Sequence, residues 1–191
     1  MRDIKRIAVY CGSAAGASEI YRLEAVKFAR ILVEQGITLV YGGASVGIMG
    51  TVADTVLREG GKAIGVIPAL LEGREIAHKN LTELHRVSTM HERKSKMIEL
   101  ADGFVALPGG FGTLDEFAEV FTWSQIGLHQ KPVGLININN YYDPLLSLIS
   151  KMTDEQFMQE KYRHMAVVET DGNALIRRFR DYEAPAVKTY D

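Results

Sequence analysis

Three glycine-rich turns, each lying between a short apolar run and a segment with helical periodicity, constrain the fold of this chain most strongly. The apolar runs, which the pattern predicts to be buried strands, are residues 6–11, 37–41 and 103–107. The glycine-rich turns that follow them are residues 12–16, 42–50 and 109–112. Strands that alternate with helices predict a parallel sheet, in which the turns that follow strands open on the same edge. Residues far apart in the sequence are therefore expected to meet around one pocket.

The full pattern predicts one α/β domain over residues 1–191, with a frayed tail from about residue 183. The expected architecture is Rossmann-like, a doubly wound and mainly parallel sheet with helices on both faces. Further strands are expected at residues 63–67, 84–88, 132–138 and 166–168. Helices are expected after Ser18, after Thr113, from Met90 with that side chain facing the core, and at residues 51–59, 143–149 (capped by Asp143), 152–160 and 171–182.

The third turn and the start of the helix after it, residues 107–116, have the sequence LPGGFGTLDE and allow two interpretations. Thr113 followed three residues later by Glu116 is a capping box, which contributes about 1 kcal/mol and needs no function. The alternative is an anion site, because glycines let the backbone approach a ligand and the N–H groups of a first helical turn attract phosphate. A helix start does not need three glycines. Carboxylates beside a phosphate would also repel it unless one had a chemical task, so the anion site is favoured.

Three other segments are candidates for ligand contact, and each has a structural alternative. Ser13 lies in the first glycine turn and either contacts a ligand or only shapes the turn. Residues 69–83 are polar and aperiodic, which predicts a lid or binding loop rather than a solvated connector. Arg93 and Lys94 lie near the first turn of a helix, where cations oppose the helix dipole. Such a local conflict is typical of functional sites, although a solvated basic face is the alternative.

Composition argues against partners of several classes. The formal net charge of −2 gives no general attraction to nucleic acid. No apolar run approaches the roughly 20 residues needed to cross a bilayer, so we expect no membrane association and a cytoplasmic location. Cys11 is the single cysteine and cannot form an internal disulfide, which agrees with a reducing compartment.

The motifs of common cofactor and metal sites are also missing. The glycines of residues 42–50 match neither the dinucleotide fingerprint nor the P-loop, which disfavours an oxidoreductase and a triphosphate site. His91 and Glu92 are not followed by the second histidine of a zinc helix, and the other histidines lack ligand spacing. No lysine lies in a context that suggests a pyridoxal phosphate Schiff base. We therefore expect no metal and no cofactor.

Four motifs in order resemble the Lonely Guy family of cytokinin riboside 5′-monophosphate phosphoribohydrolases, which were once widely mislabelled lysine decarboxylases. The motifs are CGS at residues 11–13, YGG at 41–43 with Gly47 and Gly50, MHERK at 90–94, and PGGFGTLDE at 108–116. The resemblance runs from about residue 7 to about residue 182. Two residues depart from the family pattern: Ala14 stands where many members have a serine, and Ala44 where many have a glycine.

The resemblance implies cleavage of the N-glycosidic bond of adenosine 5′-monophosphate, with or without an N6-isopentenyl-type group, to give free base and ribose 5-phosphate. It places Arg93 and Glu116 as the catalytic pair and implies a homodimer with sites near the subunit boundary. The aromatic helix after Glu116 is a candidate for that boundary. The implied substrate contacts are Ser13, Gly43, Glu75, Met90, Lys94, Pro108, Gly109, Gly110, Phe111, Gly112, Thr113, Leu114, Asp115 and Thr122.

The residue types suit that chemistry. Loss of a base from ribose develops positive charge on the sugar ring, as in glycoside hydrolysis, and a carboxylate such as Glu116 stabilises this charge or orients water. Backbone N–H groups that hold the 5′-phosphate would orient the bond to be broken. Arg93 either binds the phosphate or positions Glu116, and the sequence leaves both roles open. A non-catalytic carrier resembling the molybdenum-cofactor carrier proteins is the alternative, because it needs the glycine loop without the carboxylate.

Overall fold

The computed structural model describes residues 1–72 and 77–189. Its centre is a seven-stranded sheet in which every pairing between neighbours is parallel, with the order β4-β3-β2-β1-β5-β6-β7. The strands are β1 (Arg6–Tyr10), β2 (Thr38–Tyr41), β3 (Ala63–Pro68), β4 (Glu83–Val87), β5 (Gly103–Ala106), β6 (Val133–Ile136) and β7 (Val167–Glu169).

Helices cover both faces of this sheet. They are α1 (Glu19–Glu34), α2 (Gly47–Arg58), α3 (Ala69–Glu72), α4 (Met90–Leu100), α5 (Phe111–Gln125), α6 (Asp143–Asp154) and α7 (Gly172–Arg180), with short 3₁₀ turns at Ile138–Asn140 and Glu160–Tyr162. Helices α1, α2 and α7 pack in one buried cluster, to which they contribute Phe28, Val52 and Phe179. Helices α4 and α5 pack in the cluster on the opposite face, to which they contribute Met97 and Phe121. The doubly wound, Rossmann-like fold expected from the alternating pattern is therefore confirmed.

Local signals explain where several helices begin and end. The Ser18 side chain accepts a hydrogen bond from the Ile20 amide before α1, and Gly36 follows that helix with a φ of +67°. Thr89 caps α4, since its hydroxyl accepts a hydrogen bond from the Glu92 amide at 3.1 Å. The Glu92 carboxylate in turn accepts one from the Ser88 amide at 2.7 Å. This pairing resembles a capping box at the start of α4.

Four local predictions are wrong. Helix α2 begins at Gly47, four residues before the expected start at Thr51, because the second glycine turn closes directly into a helix. Met90 is 43% exposed rather than in the core. Asp143 lies inside α6, whose N-cap is Tyr142. The two helices expected at 143–149 and 152–160 are replaced by one continuous helix that ends at Asp154, since no helix breaker interrupts residues 149–152.

The sheet order reverses between β1 and β5, which are neighbours although the chain continues from each toward opposite edges. Ligand sites of open α/β sheets lie at such a switch point, beyond the carboxyl ends of the strands. The first and third glycine turns follow β1 and β5, so the fold brings them together at this position. In the described residues, no helix has both the length and the apolar character required to span a membrane.

Candidate active site

The three glycine turns are joined by backbone hydrogen bonds. The Gly12 amide donates to the Pro108 carbonyl at 3.2 Å, which connects the turn after β1 to the turn after β5. The Gly12 carbonyl accepts from the amides of Ile48 and Met49, at 3.0 and 3.2 Å, in the first turn of α2. The meeting of the three turns at one sheet edge, which the strand order predicts, is thus confirmed.

Two of the glycines are required by close approaches. Gly47 has a φ of +59°, and a Cβ there would lie 2.2 Å from the carbonyl carbon of Ser13. A Cβ on Gly42 would lie 2.0 Å from Nη2 of Arg93. The second turn therefore lacks a side chain at these two positions, because Gly47 packs against the first turn and Gly42 against the Arg93 guanidinium group.

The start of α5 lacks a capping side chain. Its N-cap residue is Gly110, and Thr113 is a buried residue inside the first turn. The capping-box interpretation of Thr113 and Glu116 is therefore wrong. The first-turn residues Phe111, Gly112 and Thr113 line a cavity, and their orphan N–H groups make this helix start suited to an anion.

The Arg93 side chain is fixed by hydrogen bonds to β3 and to the turn that follows β2. It projects from α4, is 8% exposed, and donates through Nε to the Val66 carbonyl at 3.1 Å and through Nη2 to the Gly42 carbonyl at 3.4 Å. Its Nη1 lies 3.6 Å from Oε1 of Glu116. The conflict of a cation near a helix start is thus resolved by burial against carbonyl groups, and the solvated-face alternative for Arg93 is wrong.

Glu116 is a buried carboxylate in an unusual electrostatic environment. Its side chain is 11% exposed, and among the described residues its Oε1 atom is buried without a hydrogen-bond partner. Burial raises the pKa of Glu116 from its ordinary value to about 7, against the opposing attraction of Arg93. A carboxyl group with a pKa near neutrality in a cavity is typical of a catalytic acid or base.

Lys94 forms a second set of ion pairs beside the first. Its Nζ atom lies 3.1 Å from Asp115 and 3.2 Å from Glu119. The Lys94 side chain is 12% exposed and that of Asp115 is 62% exposed. The two adjacent residues of α4 therefore have different partners, since Arg93 points toward Glu116 and Lys94 toward the outer side of α5.

The cavity between these groups has a volume of about 360 Å³. Its lining contains both members of the expected catalytic pair and seven of the expected contact residues: Ser13, Met90, Arg93, Gly110, Phe111, Gly112, Thr113, Asp115 and Glu116. Four further residues line it that were not among the expected contacts: Cys11, Gly12, Met49 and Leu71. Cys11 and Gly12 directly follow β1, which is a signal in the sequence for their position. Leu71 belongs to the segment expected to act as a lid.

Other expected contact residues lie elsewhere. Pro108 and Gly109 line a neighbouring cavity of about 270 Å³, which shares Gly12, Ser13 and Gly110 with the larger one. Gly43 packs against β3, where a Cβ would lie 3.3 Å from Ile67. Leu114 and Thr122 lie on another side of α5 and line an apolar pocket between α5 and α6. Glu75 lies outside the described residues.

No group of three or more His, Cys, Asp and Glu side chains within residues 1–72 and 77–189 is arranged to hold a metal ion. The groups that line the cavity offer two kinds of electrostatic contact. Amides at the start of α5 are suited to an anion, and the buried Glu116 carboxylate is suited to a developing positive charge.

The fold and site define a Rossmann-like α/β protein whose glycine turns enclose a buried, titratable carboxylate. A family model described as "Possible lysine decarboxylase" matches residues 49–179. Curated relatives carry a different description. The chain is 47% identical over 178 residues to the cytokinin riboside 5′-monophosphate phosphoribohydrolase LOG of Oryza sativa subsp. japonica, covering 93% of this chain and 74% of that protein. It is 46% identical over 179 residues to LOG7 of Arabidopsis thaliana, covering 94% and 82%. The chain belongs to the Lonely Guy family.

Solved structures share the fold at lower identity. A molybdenum-cofactor carrier protein from Chlamydomonas reinhardtii superimposes with a TM-score of 0.68 at 20% identity, covering 94% of this chain and 97% of that chain. A molybdenum-cofactor binding protein from Rippkaea orientalis gives 0.69 at 17% identity, covering 95% and 98%. At these identities the likeness concerns the architecture alone, whereas the phosphoribohydrolases are similar over most of the sequence.

Proposed function

We propose that this protein hydrolyses the N-glycosidic bond of adenine-type nucleoside 5′-monophosphates, with cytokinin riboside 5′-monophosphates and AMP as substrates. The products are the free base and ribose 5-phosphate. The observation that carries the proposal is the buried Glu116 carboxylate, which lies 3.6 Å from Arg93 in a cavity bordered by the glycine-rich start of α5. The names of the relatives at 44–47% identity support the same reaction.

The site separates recognition of the phosphate from chemistry at the sugar. In this proposal the free amides at the start of α5 hold the 5′-phosphate, and Gly110 and Gly112 leave room for its oxygens because a Cβ at either would meet nothing within 4 Å. Glu116 lies one helical turn beyond Gly112, so a nucleotide anchored by its phosphate extends its ribose toward the carboxylate. Met90 and Leu71 provide apolar surface for the base.

The proposed reaction balances with water as the second substrate. The bond between C1′ and the base nitrogen breaks, and its electron pair leaves with the base. Ionised Glu116 stabilises the positive ribosyl ring and accepts a proton from the attacking water, whose oxygen bonds to C1′. The proton gained by Glu116 is balanced by the proton that the departing base takes up. The pKa of about 7 lets Glu116 exchange this proton near neutral pH.

Arg93 acts as a positioning group in this mechanism. Its Nε and Nη2 atoms donate to the carbonyls of Val66 and Gly42, which directs Nη1 toward Glu116. A bidentate contact to phosphate would require the guanidinium group to release one of these buried carbonyls. Of the two roles left open by the sequence, orientation of the carboxylate is therefore the one we propose.

The test is to incubate the protein separately with AMP, isopentenyladenosine 5′-monophosphate and adenosine and to quantify the products. We expect free base and ribose 5-phosphate in equal amounts from the two monophosphates. Adenosine should react much more slowly, because it lacks the group that anchors the substrate. Tight binding of a monophosphate without release of base would contradict the hydrolase and favour the carrier alternative.

We also propose that the protein is a cytoplasmic homodimer. The apolar pocket between α5 and α6 supports the dimer, since Phe117, Phe121 and Ile149 line it beside Phe157, which is 86% exposed. The near-neutral net charge and the absence of an internal disulfide agree with the cytoplasm. Sedimentation equilibrium should give twice the 21.2 kDa chain mass. A mass equal to one chain would contradict the dimer.

A further inference from the structure

All four carbonyl groups of the loop over residues 107–110 accept hydrogen bonds. The donors to successive carbonyls are the Tyr142 hydroxyl to Leu107 at 2.6 Å, the Gly12 amide to Pro108 at 3.2 Å, the Tyr141 hydroxyl to Gly109 at 2.5 Å, and the Leu114 amide to Gly110 at 3.2 Å. The orientation of each peptide unit in the loop is therefore fixed. Two of the four donors are side chains, from consecutive tyrosines that precede α6.

The hydrogen bond from Tyr141 fixes the peptide unit between Gly109 and Gly110. No described peptide bond is cis, and in a trans unit the C=O and N–H groups point in opposite directions. Tyr141 lines the smaller cavity of about 270 Å³, so the Gly109 carbonyl points to that side. Gly110 lines both cavities, and its N–H group, opposite to the Gly109 carbonyl, consequently points away from Tyr141 and toward the cavity that contains Glu116.

This peptide unit has little steric restraint of its own. Both of its residues are glycines, which occupy a wide range of backbone angles. A Cβ on Gly110 would meet nothing within 4 Å, whereas Gly109 packs closely, since a Cβ there would lie 2.1 Å from Oγ1 of Thr113. If the unit rotated, the Gly109 carbonyl oxygen would face an anion in the larger cavity in place of the Gly110 N–H group. The Tyr141 hydroxyl opposes that rotation.

The position of Tyr141 is itself well defined. The preceding residues Asn139 and Asn140 have positive φ angles of 51° and 58°, which turn the chain sharply after β6. The Tyr141 ring makes edge contacts with Tyr21 and Tyr142, at centroid distances of 5.9 and 5.2 Å. The Tyr141 ring is thus in contact with two aromatic neighbours, and its hydroxyl donates to the Gly109 carbonyl of the loop.

We infer that Tyr141 is a positioning residue of the anion site: its hydroxyl keeps the Gly110 amide directed at the substrate phosphate. The inference rests on the proposed function for the identity of the anion. It assigns a role in phosphate recognition to a side chain outside the cavity that contains Glu116. The recognised chemistry is the 5′-phosphate group rather than the base.

The test compares Tyr141→Phe with the wild type and with Tyr21→Phe as a matched control. Tyr141→Phe keeps the ring contacts and removes only the hydroxyl. The Tyr21 hydroxyl has no hydrogen-bond partner in the described part of the chain, and its ring lines the same smaller cavity. Calorimetry would give the affinities for two probes, ribose 5-phosphate and adenosine, which carry the phosphate and the base separately. Circular dichroism would establish that each variant is folded.

We expect Tyr141→Phe to weaken ribose 5-phosphate binding about tenfold or more. Without the Tyr141 hydroxyl the Gly110 amide is no longer held toward the phosphate, and its hydrogen bond to that charged group is lost. Adenosine affinity and both affinities of Tyr21→Phe should stay within about twofold of wild type. Unchanged ribose 5-phosphate affinity, or equal losses for both probes, would overturn the inference. The proposed function fails on a different observation, namely that the wild type binds ribose 5-phosphate but releases no base from the monophosphates.

Discussion

Helices α4 and α5 are joined by two adjacent ion pairs that differ in environment. Arg93 and Glu116 are 3.6 Å apart, with side chains 9% and 11% exposed. Lys94 and Asp115 are closer, at 3.1 Å, but Asp115 is 62% exposed. The shorter pair, Lys94–Asp115, is an ordinary salt bridge, because its carboxylate is exposed to water. The longer pair contains a carboxylate that is deprived of water and receives no hydrogen bond at Oε1 within the described residues.

Burial therefore distinguishes the two carboxylates. Water and a hydrogen bond from Lys94 at 3.1 Å stabilise the charge on Asp115, whereas Glu116 has a guanidinium group at 3.6 Å and little solvent. Desolvation raises the pKa of Glu116 to about 7. Burial alone would lower the pKa of Lys94, but its hydrogen bonds to Asp115 and Glu119 raise it, so this ammonium group stays charged. A single step along each helix, from Lys94 to Arg93 and from Asp115 to Glu116, separates a structural ion pair from a proposed catalytic group.

The largest expected effect comes from removing the buried charge. Glu116→Gln keeps the shape of the side chain and should lower kcat for AMP by about a thousandfold, within the range typical of general acid–base groups. Nucleotide affinity should change little, because the proposed phosphate contacts lie at the start of α5. Asp115→Asn is the comparison and should lower kcat by less than about tenfold, as expected for an exposed carboxylate. Similar losses in both variants would remove the distinction between the two pairs.

Arg93→Ala should reduce both activity and stability. The change leaves the buried Glu116 carboxylate without its cation and frees two carbonyls, so we expect a loss of about 3–5 kcal/mol in the free energy of unfolding. The value of kcat/KM should fall at least about a hundredfold because Glu116 loses its orientation. Urea denaturation and steady-state kinetics measure the two effects. Wild-type kinetics in a folded Arg93→Ala protein would refute the positioning role.

The pH dependence of stability isolates the cost of burying Glu116. Below about pH 4.5 the group is protonated in both folded and unfolded chains, and its burial carries no charge penalty. As pH rises from 4.5 to about 7 the unfolded chain releases this proton first, so the wild type loses stability. Above pH 7 the difference between the two pKa values corresponds to roughly 3 kcal/mol.

Glu116→Gln lacks this titration and should gain stability relative to the wild type between pH 4.5 and pH 8. Thermal or urea unfolding of both proteins across this range gives the difference curve. The sign is the informative part, since an ordinary salt-bridged carboxylate would make the variant less stable at high pH. A flat difference curve would show that Glu116 is not desolvated in the folded state.

The smallest effect is expected at the other pair. Lys94→Gln should cost about 1 kcal/mol in the free energy of unfolding, because Asp115 is mostly exposed and remains solvated, and the glutamine amide can still donate to Glu119, whose side chain is 21% exposed. The loss should shrink further in high salt, as is usual for exposed ion pairs. A loss as large as that of Arg93→Ala would mean that the two pairs are energetically equivalent.

The architecture could be predicted from the sequence because its signals are local and repeated. Apolar runs, glycine turns and helical periodicity define all seven strands and place three turns at one edge. Boundaries were less predictable where a turn passes directly into a helix, as at Gly47, whose positive φ depends on its contact with Ser13. The pattern predicts two helices at residues 143–149 and 152–160, whereas α6 is one helix that ends at Asp154.

In the candidate site, the two central residues could be predicted from the sequence, but the positions of several neighbours could not. The motif resemblance pointed to Arg93 and Glu116, and the structure brings them together. The sequence did not reveal which side of α5 each neighbour occupies, so Leu114 and Thr122 were grouped with Glu116 although they line another pocket. Nor did it reveal Tyr141, because a hydrogen bond between a side chain and the carbonyl of Gly109 leaves no local pattern.

The pH profile of kcat/KM for AMP tests the central claim most directly, because it reports the ionisation of the free enzyme's essential groups. With an ionised Glu116 as the reactive group, the profile should rise with pH to a plateau through an apparent pKa of about 7. The residual activity of Glu116→Gln should lack this rise and keep only the limb at about pH 6 that comes from the second ionisation of the AMP phosphate. A wild-type profile that is already flat between pH 5 and pH 8, or the same rise through an apparent pKa of about 7 in Glu116→Gln, would contradict the account.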